Sequence, residues 1–187
     1  MRKVDASAAL FAGVSILYPL LAALGVRHVG PNWVILGLLA LIALRALPAL
    51  RAKVPGGLTW GLLFVAGAVA LVALIDRELS VRLYPALMSA AMLLTFAQTI
   101  WRPPSMIERF ARLINPNLDE EGVRYARNVT LIWCAFFVAN CAMGVWTALY
   151  ADWPLWTLYN GLIAYIGIGI LFFGEVLVRP LFRKNAR

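Results

Sequence analysis

Residues 129–150 read VTLIWCAFFVANCAMGVWTALY, a stretch without a single Asp, Glu, Lys or Arg. A helix of that length spans the roughly 30 Å of a bilayer's hydrocarbon core. Just before it lies the one sizeable hydrophilic stretch, residues 102–128 (RPPSMIERFARLINPNLDEEGVRYARN), and just after it comes a further apolar run at 155–178. Working outward, four more apolar runs fall at 8–26, 33–50, 58–75 and 83–101. The pattern predicts an all-α, polytopic integral membrane protein of about six transmembrane helices, a single membrane domain over 1–187. Composition agrees: 63% of residues are hydrophobic, 14% charged, and mean hydropathy is +0.81, against about 45–50% apolar and about 25% charged in globular domains. Crossings nearly consume the chain, which leaves little for an extramembrane catalytic domain.

The second run is interrupted at its end by Arg45 and Pro48, so its apolar part is expected to stop near Leu44 with Arg45 snorkelling to the headgroups. The first exceeds the roughly 7–15 apolar residues of a secretory signal and more runs follow, so it reads as a retained anchor. Net charge is +8 and the isoelectric point near 10.1. In a soluble chain that balance would raise nucleic acid as a partner; here it is expected to record orientation, with no nucleic acid involved. Fourteen of the seventeen Lys and Arg fall on one side of the six-span drawing, and Arg27, Arg77 and Arg82 on the other. The bias places both termini in the cytoplasm. Pro31 to Trp33, Tyr84 to Pro85 and Trp153 to Trp156 then fall at the outer interface, as an aromatic belt would.

Within 102–128, Ser105 and Glu108 form a capping box that opens a short cytoplasmic helix between spans four and five. Met106, Ile107, Phe110, Leu113 and Ile114 share one face, the pattern of an amphipathic helix lying on the membrane surface. Asn115 and Pro116 are expected to end it, and Asn117 with Glu120 to start another that leads through Tyr125 and Arg127 into span five, Glu120 reaching Arg124 at i,i+4. The bland reading of the loop arginines is topology and anionic headgroups. The sharper one makes Arg102, Arg109, Arg112, Arg124 and Arg127 a docking surface for an acidic cytoplasmic protein, although Asp119, Glu120 and Glu121 interrupt the positive field.

Polar side chains inside apolar runs are functional candidates by default. They are Gln98, Asn140, Tyr159, Asn160 and Glu175. Glu175 reads either as a helix-end ion pair with Arg179 or as a proton or cation site at the depth of Gln98. Asn140 is expected to hydrogen-bond to a neighbouring helix. Gly167, Gly169 and Gly174 permit close helix packing. One His and two Cys exclude a His- or Cys-rich metal site. Cys134 and Cys141, about 10.5 Å apart along one helix, cannot bridge in place. No GxSxG elbow or phosphate loop occurs, so no metal, cofactor or catalytic residue is expected.

The segments 106–112 (MIERFAR), Arg124-Tyr125, Val129-Thr130, Trp133-Cys134, Trp146-Thr147-Ala148, 159–165 (YNGLIAY) and Gly174-Glu175 together resemble a family of uncharacterised bacterial inner-membrane proteins. Genes of that family accompany aryl-polyene or xanthomonadin-like polyketide and fatty-acid clusters. The resemblance covers roughly 101–179; the first four runs match only in hydropathy. It implies acyl carrier proteins and other biosynthetic proteins as neighbours and supplies no catalytic residues. The expected function is a non-enzymatic inner-membrane component that recruits or organises acyl-chain assembly, docking an acyl carrier protein on its basic loop. The alternative is a small transporter or flippase subunit for a lipid or hydrophobic product, acting as a homo-oligomer among membrane lipids. An integral acyl or lipid transferase using Glu175 or Tyr159 ranks third, for want of a nucleophile and base pair.

Overall fold

Three aspartates, spaced along the chain from residue 76 onward, each start a helix. Asp76 accepts a hydrogen bond from the Leu79 amide at 2.9 Å, Asp119 from Gly122 at 2.9 Å and Asp152 from Leu155 at 3.0 Å. Each satisfies an amide that a helix start leaves unpaired, worth about 1 kcal/mol. The computed structural model describes the backbone of residues 6–51 and 57–184 and the side chains of residues 17–44 and 60–177. Every element among them is helical: α1 (Ala6–His28), α2 (Pro31–Arg51), α3 (Gly57–Ala73), α4 (Arg77–Trp101), α5 (Met106–Ile114), α6 (Glu120–Tyr150), α7 (Trp153–Leu158), a π turn (Tyr159–Ile163) and α8 (Ala164–Lys184).

Six full-length crossings are not reached among the described residues. Three helices are long and apolar enough to cross a membrane: Arg77–Trp101, Glu120–Tyr150 and Trp153–Leu177. The apolar parts of α2 and α3, Pro31–Leu44 and Trp60–Ala73, are shorter. The α3 helix stops at Ala73 because Leu74 and Ile75 are drawn into the turn that leads to the Asp76 cap. The end of the second run, with Arg45 and Pro48, lies outside the described side chains, as do Arg179 and the basic residues of both termini.

The helix expected to start at Asn117 with Glu120 and to run on into span five is α6, which starts at Glu120; its cap is Asp119, not Asn117. Glu120 and Arg124 do not pair; the ion pair of this region is Glu108 with Arg112 at 2.8 Å.

The α4 helix is the hub, packed between α3 and α2 on one side and α6 on the other, with α1 against α2 and the turn formed by α7 and the π segment. Tyr18, Leu38, Val65, Val69, Val81 and Trp156 form the core where these elements meet. Of the expected aromatic belt, Trp156 is wholly buried and Tyr84 nearly so, while Trp33 is exposed. The first two face inward because each packs at a helix junction. Elsewhere the exterior carries many large apolar side chains: Leu36, Trp60, Leu71, Leu94, Ile170 and Phe173 are each more than half exposed. Such a surface is compatible with a lipid solvent and would be a liability in water.

Candidate functional site

Pro85 lies inside α4 and has no N–H, so the Val81 carbonyl four residues earlier loses its helical partner. The Tyr18 hydroxyl donates to it at 2.9 Å. The Tyr18 ring meets Tyr84 edge-on at 4.6 Å, which fixes α1 against the bend in α4. On the opposite side α6 comes close through Gly144, where an added Cβ would stand 3.0 Å from the Ala86 Cβ and 3.2 Å from its Cα. Ala86 of α4 and Gly144 of α6 therefore set the distance between the two helices.

Between them runs a directional chain of hydrogen bonds. The Tyr159 hydroxyl donates to Asn140 Oδ1 at 3.0 Å, Asn140 Nδ2 donates to Ser89 Oγ at 2.8 Å, and the Ser89 hydroxyl donates to the Pro85 carbonyl at 3.1 Å. Since the Pro85 carbonyl can only accept, the direction of every bond in the chain is set. Tyr159 opens the π turn, in which the Ala164 amide donates to the Tyr159 carbonyl. Single π turns inside α-helices recur at functional sites. Asn160, in the same turn, is buried and donates to Thr147 Oγ1 at 3.2 Å and to the Trp156 carbonyl at 2.9 Å.

Below this polar group α1, α4, α6 and α8 enclose a half-open cleft of about 170 Å³. Tyr18, Tyr84, Met88, Met92, Phe136 and Phe137 form its apolar walls, and Ser89, Asn140 and Asn160 its polar side. No charged side chain lines it. Phe136 also seats α8: a Cβ on Gly167 would stand 2.9 Å from its ring, so a larger residue there would have to push the Phe136 ring aside. Beyond that point α8 is largely exposed: just 11% of the apolar 18-residue window within Trp153–Leu177 is buried.

Two of the polar candidates, Asn140 and Tyr159, are thus bonded to each other, and Asn140 and Asn160 line the same cleft. Gln98 and Glu175 do not join them. Gln98 is exposed and reaches only the Thr95 carbonyl of its own helix at 3.4 Å. No hydrogen bond or ion pair links it to Glu175, and the Arg179 partner of Glu175 lies outside the described side chains.

Sequence reasoning passed over Ser89, Tyr18 and Arg82. A proline inside an apolar run, with its orphaned carbonyl, was the available signal for Tyr18. Arg82 does more than mark a membrane side. Its guanidinium donates to the Thr147 carbonyl at 2.9 Å and to the Ala151 carbonyl, so a cation caps the negative end of α6. It also lies 5.4 Å over the Trp153 ring, whose indole N–H donates to Glu78 at 2.8 Å, while the Trp156 indole donates to the Arg82 carbonyl at 3.0 Å.

At the other end, α5 is fastened to the bundle. The Met106 amide donates to Thr99 Oγ1 at 2.9 Å and the Ile107 amide to Thr130 Oγ1 at 3.3 Å, so buried threonines of α4 and α6 serve two amides of the α5 start. Glu108 accepts from the Ser105 amide at 3.2 Å, completing the capping box. Phe110, Leu113 and Ile114 face outward, 56%, 83% and 77% exposed. The five loop arginines are not equivalent. Arg109 donates to the Pro104 carbonyl at 2.9 Å, and Arg112 holds Glu108 and the Pro116 carbonyl, leaving Arg102, Arg124 and Arg127 exposed with no such bond.

Among the described residues no group of three or more His, Cys, Asp or Glu could hold a metal ion, and Cys134 and Cys141 are free thiols. No family model, curated protein or solved structure matches the chain.

Proposed function

We propose that this chain is a non-enzymatic membrane protein that holds a hydrophobic product or lipid in the cleft between α1, α4, α6 and α8, as a small carrier or transport subunit. The observation that carries this reading is the cleft itself, apolar on its walls, polar on one side, uncharged and half-open. Such sites bind amphiphiles by enclosing an apolar body and fixing a polar end. The Ser89 hydroxyl donates to a backbone carbonyl and is paired with an amide that has no basic nitrogen, so it lacks the activation an acyl-enzyme mechanism requires. In this reading α1, α2 and α3 complete six crossings: they run 23, 21 and 17 residues, within the roughly 17–25 that a span needs. Both termini face the cytoplasm of a bacterial inner membrane by the bias of the basic residues. The resemblance to the polyketide-cluster proteins suggests acyl-chain biosynthesis as the source of the cargo.

Native mass spectrometry of the purified protein released from mild detergent tests the reading. A bound amphiphile is expected on the wild-type chain and lost from Met92→Trp, which fills the cleft without touching a hydrogen bond. An unliganded wild type, or an adduct that Met92→Trp retains, would contradict it.

A second reading, docking of an acidic acyl carrier protein, is favoured by the exposure of Arg102, Arg124 and Arg127 beside a rigidly fastened α5. Reversing those three charges to Glu is expected to abolish capture of a carrier protein while α5 stays in place; undiminished capture would remove the role.

A further inference from the structure

Charge is layered along the first turns of α6. The helix runs unbroken from Glu120 to Tyr150, and about 20 residues of it suffice to cross roughly 30 Å of hydrocarbon. Counted back from Tyr150, that crossing ends at Thr130, and no Asp, Glu, Lys or Arg lies between the two. Thr99, near the end of α4, marks the same level, because it and Thr130 accept from consecutive amides at the start of α5. Past this level Arg127 stands about 4.5 Å and Arg124 about 9 Å further along the α6 axis, whereas Glu121, Glu120 and Asp119 stand about 13–17 Å along it. Arg102, three residues past Thr99, belongs with the arginine layer. The headgroups add about 5–7 Å to each side of the hydrocarbon, and a guanidinium on its long stem reaches back several ångströms more. Arg102, Arg124 and Arg127 are exposed and carry no hydrogen bond or ion pair among the described residues. The carboxylates of this end leave them free: Glu108 is buried and engaged by Arg112 and the Ser105 amide, and the three acids at the start of α6 lie further out.

From this layering we infer that the α5 end of the bundle docks onto anionic phospholipids, with Arg102, Arg124 and Arg127 on their phosphates and the outward face of α5 seated among their upper chain carbons. The inference rests on the membrane reading proposed above and is independent of the cleft. Guanidinium and phosphate match in charge and in the geometry of paired N–H donors. The apolar half of the surface is also present: Phe110, Leu113 and Ile114 of α5 are turned away from the protein, and Trp101 at the end of α4 is exposed as well. Arginines beside an aromatic and aliphatic face are the composition of a helix held in the headgroup layer. Two threonine bonds fix the start of α5 at the hydrocarbon boundary, so its apolar face is presented without any ordering of the chain. The carrier-protein reading competes for the same three arginines, and depth favours lipid. An acidic protein arriving from water meets Asp119, Glu120 and Glu121 first, and like charges there oppose it. A lipid phosphate meets the arginines from within the layer.

Native mass spectrometry of the full-length protein, released from mixed micelles with equal amounts of phosphatidylglycerol and phosphatidylcholine, reads the preference. Phosphatidylglycerol is expected to be retained about fivefold over phosphatidylcholine, the ratio that one arginine near an anionic surface sustains. Arg102→Gln, Arg124→Gln and Arg127→Gln together are expected to bring the ratio to parity, and Met92→Trp to leave it unchanged, since this lipid does not occupy the cleft. Parity in the wild type, a preference that the arginine variant keeps, or one that Met92→Trp removes overturns the inference. Capture of an acidic carrier protein by a wild type at parity hands the three arginines to the second reading and likewise overturns it. Depth is read separately, in a Cys134→Ala, Cys141→Ala background carried in nanodiscs of the two lipids. A membrane-impermeant maleimide is expected to modify Glu121→Cys about tenfold faster than Ile114→Cys, whose position lies in the headgroup layer. Equal rates would place the face of α5 in water and overturn the docking while the membrane reading stands. A chain that does not float with vesicles of the same lipids overturns both.

Discussion

The α4 helix and the final helical stretch, Trp153–Leu177, are each 25 residues long, and the apolar 18-residue windows within them have mean hydropathies of 1.4 and 1.7. They nevertheless occupy opposite environments: 39% of the α4 window is buried against 11% of the window in the final stretch. Hydropathy therefore does not decide which apolar helix becomes the centre of the bundle. Side-chain size and hydroxyl placement do. The buried face of α4 carries Ser80, Ala86, Ser89, Ala91, Thr95 and Thr99, small enough for neighbouring helices to approach. Its hydroxyls turn back on their own helix: Ser80 donates to Arg77, Thr95 to Ala91 and Thr99 to Phe96, at 2.7–2.8 Å. Polar groups satisfied in this way can be buried against apolar partners at little cost. The final stretch instead presents Ile166, Ile170, Phe173 and Leu177, all at least half exposed. It touches the bundle mainly where the π turn and Gly167 bring it to α1 and Phe136.

Substitutions can break or sharpen this contrast. The largest effect is expected at the α4–α6 contact, where Gly144→Leu forces a side chain into the backbone of Ala86. A loss of about 3 kcal/mol is expected in reversible denaturation from mixed micelles; an unchanged midpoint would mean that α4 is not clamped there. Arg82→Met comes next. It strips the Thr147 and Ala151 carbonyls of a charged donor, with an expected loss of about 2 kcal/mol in the same assay. Asn140→Leu removes the link between Tyr159 and Ser89, for an expected loss of about 1 kcal/mol, in keeping with hydrogen bonds between membrane helices. Ile170→Ala, on the exposed side of α8, is expected to change the midpoint by less than about 0.5 kcal/mol. Equal sensitivity at Ile170 and Asn140 would erase the distinction between the two helices.

These particulars mark what could be read in the chain. The apolar runs, the capping box at Ser105 and Glu108 and the outward apolar face of α5 follow from local pattern, because a single helix suffices to generate them. Helix ends were less legible. Asp119, not Asn117, starts α6, since either residue can cap and only tertiary packing selects between them. The cleft was half legible. Asn140, Tyr159 and Asn160 stand out as polar residues in apolar runs, but their partner Ser89 is an ordinary residue of a long helix. Its role exists only because Pro85 and Gly144 bring α4 and α6 together. Gln98 stands out equally in sequence, yet it faces outward, because nothing in a lone glutamine reveals which side of α4 the neighbours will cover.

The proposed binding site is the cleft between a buried α4 and a peripheral α8, which in the reading proposed above opens to the lipid phase. Carbene footprinting with a membrane-partitioned diazirine, read residue by residue, tests it most directly. Labelling is expected on Ile170 and Phe173 and also on Met92 inside the cleft, with Val81 and Val65 protected. Protection of Met92 to the level of Val81 would show the cleft closed to lipid and contradict the account.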